Sequence, residues 1–294
     1  MKVFVTGAEG QVGSELITRG PALGLQMIAA GHNMLDITDK SSVNTVFTHY
    51  NPNIVINCAA YTAVDKAEND QERANAVNCQ GPTHLAAVCA KHNVPFLHIS
   101  TDYVFDGKSK TPYKENDPPN PQGVYGKSKL AGEVAVTQTI DHYIIFRVAW
   151  VFGASGQNFV RTMLRLGRIH DKLRVVADQS GGPTWAGDIA ATLLTIVKRY
   201  ESGKSIPWGT YHYCGTPGVS WYDFAQAIFT EAVNLSMLTR KPQVIPITTA
   251  EYPTPAKRPM NSVLHCEKIK QQLRINQPDW HTGLKNTLQA WQKQ

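Results

Sequence analysis

The chain has 294 residues, 42% hydrophobic and 18% charged, enough apolar material for a large core in two lobes and too much for a disordered chain. Its formal net charge of +6 comes without any block of like charges, which argues against a nucleic-acid surface and suits an anionic small-molecule substrate. The five cysteines form no C-x-x-C pair, and no signal-like segment or bilayer-length apolar run is present, so a reduced, cytoplasmic protein with no membrane partner is expected.

Residues 2–6, Lys-Val-Phe-Val-Thr, read as a short buried strand. The strand runs into Gly7-Ala8-Glu9-Gly10-Gln11-Val12-Gly13, and Ser14-Glu15-Leu16-Ile17 reads as a helix start. Strand, glycine turn and helix form the context of a dinucleotide fingerprint, here spaced G-x-x-G-x-x-G. The first glycine permits the turn, Gly10 lets backbone approach a pyrophosphate, and Gly13 lets the helix pack closely, its free amides facing the phosphates. Residues 26–30 read as the second strand, followed by Gly31-His32-Asn33, with neither the acid that grips a ribose nor the Arg that accepts a 2′-phosphate. Asp36 and Ile37 come next, Asp36 either near an adenine or as a turn cap.

Further strands are expected at 53–58, 95–100 and 143–148, with helices at 81–92 and 127–137. Cys58 in its apolar strand reads as a packed thiol. The alternation argues an α/β fold, a Rossmann-type doubly wound parallel sheet, with a smaller C-terminal α/β substrate lobe. We expect the dinucleotide-binding domain over residues 1–150, with later segments returning to it, and the substrate lobe mainly over 151–294. Residues 106–123, rich in Asp, Lys, Pro and Gly, form a long loop of the kind that is functional or mobile. Beyond 150, an amphipathic helix carries Ile189, Leu193, Ile196 and Val197, and Ser220 is placed to cap another.

Two segments carry the chemistry: Ser100-Thr101-Asp102-Tyr103 and Tyr125-Gly126-Lys127-Ser128-Lys129. Tyr125 and Lys129 fall one helical turn apart on one face, where an ammonium lowers a phenol's pKa from about 10. A Thr101 hydroxyl at a strand end can bond the oxygen that a substrate carbonyl uses. Together they equip a site to move a proton on or off an alcohol oxygen while a hydride moves elsewhere.

These segments resemble the extended short-chain dehydrogenase/reductase family over essentially the whole chain. The strings from Asn57 to Glu68, Ser100 to Phe105, Asn120 to Gly132 and Arg147 to Gly153 resemble its dTDP-4-dehydrorhamnose reductase branch. The resemblance implies NADPH or NADH as cofactor, a nucleotide-sugar substrate, a homodimer, and reduction of a C4 ketone. It implies Tyr125 as proton donor, Lys129 as its electrostatic partner on the nicotinamide ribose, and Thr101 as the third member. Cofactor contacts carry over to Gly7, Gly10, Gln11, Val12, Gly13, Asp36, Ile37, Ala60, Tyr61, Thr62 and Ile99. Substrate contacts carry over to Thr101, Asp102 and Trp150, and we add Arg258 and Asn158 as candidates for the diphosphate. Some members hold Mg²⁺ between subunits through acidic side chains, and Glu15 and Asp188 fall in comparable stretches.

Plainer readings stand beside these. Trp150 also reads as core, Asp102 as a loop cap, Arg258 as a surface residue of a Pro-rich loop, and Asn78 as a helix cap or a support for the tyrosine helix. Asp65, Lys66 and Glu68 read as a solvated helix start, and His32 and His98 as structural residues without a partner. Two other functions share the branch: a nucleotide-sugar epimerase or 4,6-dehydratase, and a nucleotide-binding regulatory subunit of methionine adenosyltransferase type. Tyr103 stands where a dehydratase carries a carboxylate, which disfavours the first.

Overall fold

Five apolar runs form parallel strands: β1 Lys2–Thr6, β2 Gln26–Ala30, β3 Ile54–Asn57, β4 Phe96–Thr101 and β5 Tyr143–Val148. A later strand, Gly209–Tyr213, returns to pair with β5 at the sheet edge, so the spatial order is Gly209–Tyr213, β5, β4, β3, β1, β2. These features come from a computed structural model that describes residues 1–293; residue 294, where the expected substrate lobe ends, lies outside the described residues.

The strands are rich in apolar residues because both faces are covered. Val3, Val5, Ile54, Ile56, Leu97 and Phe146 pack on one face with Leu16, Ile189 and Leu193. Phe4, Val55, Phe96 and Ile145 pack on the other with Phe47, Leu85, Val88 and Cys89. The strand order reverses between β1 and β3, which opens a crevice at their carboxyl ends, where this architecture binds nucleotides.

A separate core forms the smaller lobe, where Phe152, Val160, Leu164, Phe224, Ile228, Trp280 and Leu284 are buried together. Ser220 caps its helix Trp221–Asn234 through a reciprocal capping box with Asp223, as the sequence suggests. The long loop at 106–123 is pinned to this lobe by Tyr113 N–H on Val263 O (2.9 Å) and Asn261 N–H on Gly107 O (3.0 Å).

Two helices start earlier than expected. The first spans Gln11–Arg19, because its amides begin directly at the Gly10 cap, and the tyrosine helix spans Val124–Thr139. Between β3 and β4 the chain forms a short helix at Val64–Ala67, where a helix start is expected, and also a short helix at Gln71–Asn75 and a wider turn at Ala76–Gln80, neither of them expected.

Candidate active site

The turn after β1 is built for close approach. Gly7 sits at φ +62°, and a Cβ there would lie 2.6 Å from Ala59 N. A Cβ on Gly13 would press into the Gly7 carbonyl and within 2.7 Å of Ala8 Cα. Only glycine keeps this turn open against β3 and the helix against the turn. The turn borders a cavity of about 350 Å³ at the switch point, lined also by Gly10, Asp36, Ile37, Cys58, Ala60 and Tyr61. The same wall includes Glu9 and Arg73, to which the sequence gives no role, and His32, which reads there as a structural residue. Thr62 is exposed beside it and Val12 is buried. These residues fit a dinucleotide: a glycine turn open to a pyrophosphate, a helix N-terminus behind it, and charged side chains at the far end.

Some expected cofactor residues have duties of their own. Asp36 accepts from Thr38 N–H (2.9 Å) and its hydroxyl (2.7 Å), which hold its carboxyl below the usual range, so it is a turn residue that also borders the cavity. Gln11 joins the lobes, its Oε1 accepting from Asn158 Nδ2 at 3.0 Å. Asn158 also donates to Gly153 O (2.8 Å) and caps Phe159–Ile169 through Arg161 N–H (3.0 Å). All its polar atoms are thus engaged inside the protein.

The catalytic candidates meet at the carboxyl end of β4. Thr101 and Tyr125 are both buried, and the Thr101 hydroxyl lies against the phenol. Tyr103 packs edge-on against Tyr125, ring centres 5.5 Å apart. Burial pushes the Tyr125 pKa well up, opposed by its bond with Thr101. This corrects the expectation that Lys129 lowers it: the lysine Nζ donates instead to Ile99 O at 2.7 Å and lies 3.4 Å from His98 Nε2. Burial brings Lys129 down to about 8, against the pull of Glu133. Asp102 is also buried; its Oδ1 accepts from Thr101 Oγ1 (2.9 Å), its Oδ2 has no partner, and burial raises its carboxyl to about 6.

His98 does have partners, contrary to expectation. Register puts Thr6 beside Asn57 and Asn57 beside His98 on one sheet face, under the tyrosine helix. Thr6 Oγ1 donates to Asn57 Oδ1 (2.5 Å), which also accepts from Ala59 N–H (3.1 Å), and Asn57 Nδ2 is 3.0 Å from His98 Nδ1. The available signal was a polar residue inside a run otherwise buried on both faces. Asn78 supports the tyrosine helix: its Nδ2 donates to Ser128 Oγ (3.0 Å), and it bonds both backbone groups of Tyr61.

The acidic helix start is not a solvated face either. Glu68 accepts from Val124 N–H (2.9 Å) and so caps the tyrosine helix. Asp65 pairs with Arg258 (2.6 Å), which also donates to Tyr103 OH (3.1 Å). Arg258 is therefore brought to Tyr103, whose ring packs on Tyr125, rather than left on the surface. Trp150, at φ +47°, stacks on Trp221 with ring centres 3.4 Å apart, half-buried at the lobe boundary. Glu15 is paired with Arg19 (2.7 Å), and Asp188 is raised to about 6 by burial. Among the described residues no three acidic, His or Cys side chains gather to hold a metal within one chain.

The family profile described as RmlD substrate binding domain matches residues 1–293. A dTDP-4-dehydrorhamnose reductase of Aggregatibacter actinomycetemcomitans is 47% identical over 286 residues, 97% of each chain. The solved structure of a dTDP-4-dehydrorhamnose reductase from Clostridium acetobutylicum superposes with a TM-score of 0.92 at 40% identity, covering 99% of this chain and 100% of that one. The Bacillus anthracis reductase, solved in complex with NADP, gives 0.91 at 34% identity, covering 98% and 99%. With a glycine-turn cavity and a Thr/Tyr/Lys set on a sheet of this order, and with relatives this similar over their full length, the chain belongs to the dTDP-4-dehydrorhamnose reductase family.

Proposed function

We propose that the protein reduces the C4 ketone of dTDP-4-dehydro-L-rhamnose to dTDP-L-rhamnose with NADPH or NADH, Tyr125 donating the proton. The observation that carries this reading is the buried Tyr125 phenol beside the Thr101 hydroxyl, at the carboxyl end of the strand next to the switch-point crevice. When bound, the reduced nicotinamide supplies the hydride. Gly7, Gly10 and the amides at the start of Gln11–Arg19 hold the pyrophosphate, while Ala60 and Tyr61 border the dinucleotide.

A phenol is protonated at neutral pH and burial raises Tyr125 further, so it carries the proton that an acid must give as negative charge builds on the ketone oxygen. The Thr101 hydroxyl, which donates to Asp102 Oδ1 in the unliganded site, would turn its proton to the same oxygen and stabilise that charge, and Lys129 supplies positive charge when protonated. Tyr103 OH is held by Arg258, and no carboxylate stands at that position to expel water, which favours reduction over dehydration. The test is loss of nicotinamide absorbance when the nucleotide-sugar is added, wild type against Tyr125→Phe. Loss that stops in the variant supports the reading; equal rates sink it.

A further inference from the structure

The polar row under Lys129 has a direction that can be worked out atom by atom. The Ala59 amide can only donate, so the Asn57 atom 3.1 Å from it is the side-chain oxygen. The other end of that amide, Nδ2, is then the donor 3.0 Å from His98 Nδ1. A donor facing Nδ1 requires a lone pair there, so the neutral ring carries its proton on Nε2. Nε2 lies 3.4 Å from Lys129 Nζ. Thr6, Asn57, His98 and Lys129 are all within 1% of full burial, so water does not replace any partner in the row.

We propose that His98, fixed in its Nε2–H form by Asn57, is a positioning residue that presents a hydrogen-bond donor to Lys129 and favours the neutral amine over the ammonium. The proposal rests on the reading of Lys129 as part of the reductase site. An amine has a lone pair to accept Nε2–H, and an ammonium has none. Two other ionisable groups act on Lys129. Glu133, on its own helix, is already bonded at both oxygens by Arg147 of β5 (2.9 and 2.6 Å). The Cys58 thiol after β3 is pushed up to about 12 by burial and stays neutral. Burial moves His98 itself well below 6.5, with the lysine charge adding to it, so the ring remains neutral across the working range. The basic limb of the activity profile should therefore belong to Lys129 and lie near its lowered value of about 8.

The test is ¹⁵N NMR of the full chain with labelled histidine, with and without NADP⁺, the His98 signals assigned with His98→Gln. The expected spectrum has Nε2 protonated and Nδ1 bare. Asn57→Asp keeps the acceptor for Ala59 N–H but turns the other end from donor to acceptor. It should move the ring proton to Nδ1 and shift the basic limb of kcat/KM upward by at least about one pH unit, tenfold in the ionisation constant. A wild-type ring protonated on Nδ1 overturns the proposal, and that measurement needs no variant to fold. A reversed tautomer with an unmoved limb also overturns it. An active Lys129→Met would instead overturn the reading on which the proposal rests.

Discussion

Arg258 Nη2 lies 2.6 Å from Asp65 Oδ2, a residue 193 positions earlier in the chain, and its Nη1 donates to Tyr103 OH at 3.1 Å. The pair fastens the loop that carries Arg258 to Tyr103, whose ring packs edge-on against Tyr125. Both side chains are partly exposed, so the link should contribute at most about 1 kcal/mol to stability. Its larger effect is on geometry. Arg258→Ala should fold with a nearly unchanged Tm and raise the KM for the sugar while leaving that for the cofactor close to wild type. A variant with equal rises in both would argue against this placement.

The tyrosine helix begins where Glu68 accepts from Val124 N–H, a carboxylate at a helix N-terminus. Glu68→Ala removes that cap and should destabilise the protein by about 0.5–2 kcal/mol in denaturant unfolding. Turnover should fall with it, because the first turn of this helix carries Tyr125.

Arg73 and His32 share the cavity wall with Asp36 and Glu9, at the end where a cofactor ribose would lie. An Arg there can accept a 2′-phosphate. Arg73→Ala should weaken NADPH by about tenfold, roughly 1.4 kcal/mol, and NADH much less. Equal losses for the two cofactors, measured by titration, would remove Arg73 from this role.

Asp102 gives a pH signature. Burial raises its carboxyl to about 6 in the folded protein, against 3.8 for an ordinary aspartate. Between those values the folded state holds more protons than the unfolded, so this group makes stability fall as pH rises from about 4 to about 6. Asp102→Asn removes the effect. The stability of the variant relative to wild type should therefore grow between about pH 4 and pH 7, by about 1.4 kcal/mol per unit of raised pKa at most. A flat difference in unfolding free energy over that range would contradict the assignment.

The strands were legible because parallel strands covered on both faces carry apolar runs, as Val3–Val5 and Ile54–Ile56 do. The glycine turn and the Tyr/Lys spacing are local, and a sequence displays local patterns directly. His98 and Asn57 were not legible as a pair, since their meeting depends on strand register across 41 residues. The same holds for Glu68, whose partner Val124 lies 56 residues on, and for Asp65 with Arg258. The expected pull of Lys129 on the phenol failed for a related reason: spacing puts the two on one face, but burial and the Ile99 carbonyl decide where the ammonium points.

Replacing Tyr125 by Phe deletes one hydroxyl from a packed ring, so the fold should persist. Turnover should drop by about 10²–10⁴, the range for loss of a general acid.

The most direct test of reduction itself follows a label. Purified protein is given dTDP-4-dehydro-L-rhamnose and NADPH or NADH deuterated at nicotinamide C4, and the product is read by NMR alongside cofactor consumption. Reduction places deuterium at C4 of the sugar, with one cofactor oxidised for each sugar converted. Deuterium at C6, or turnover without net cofactor loss, would contradict it.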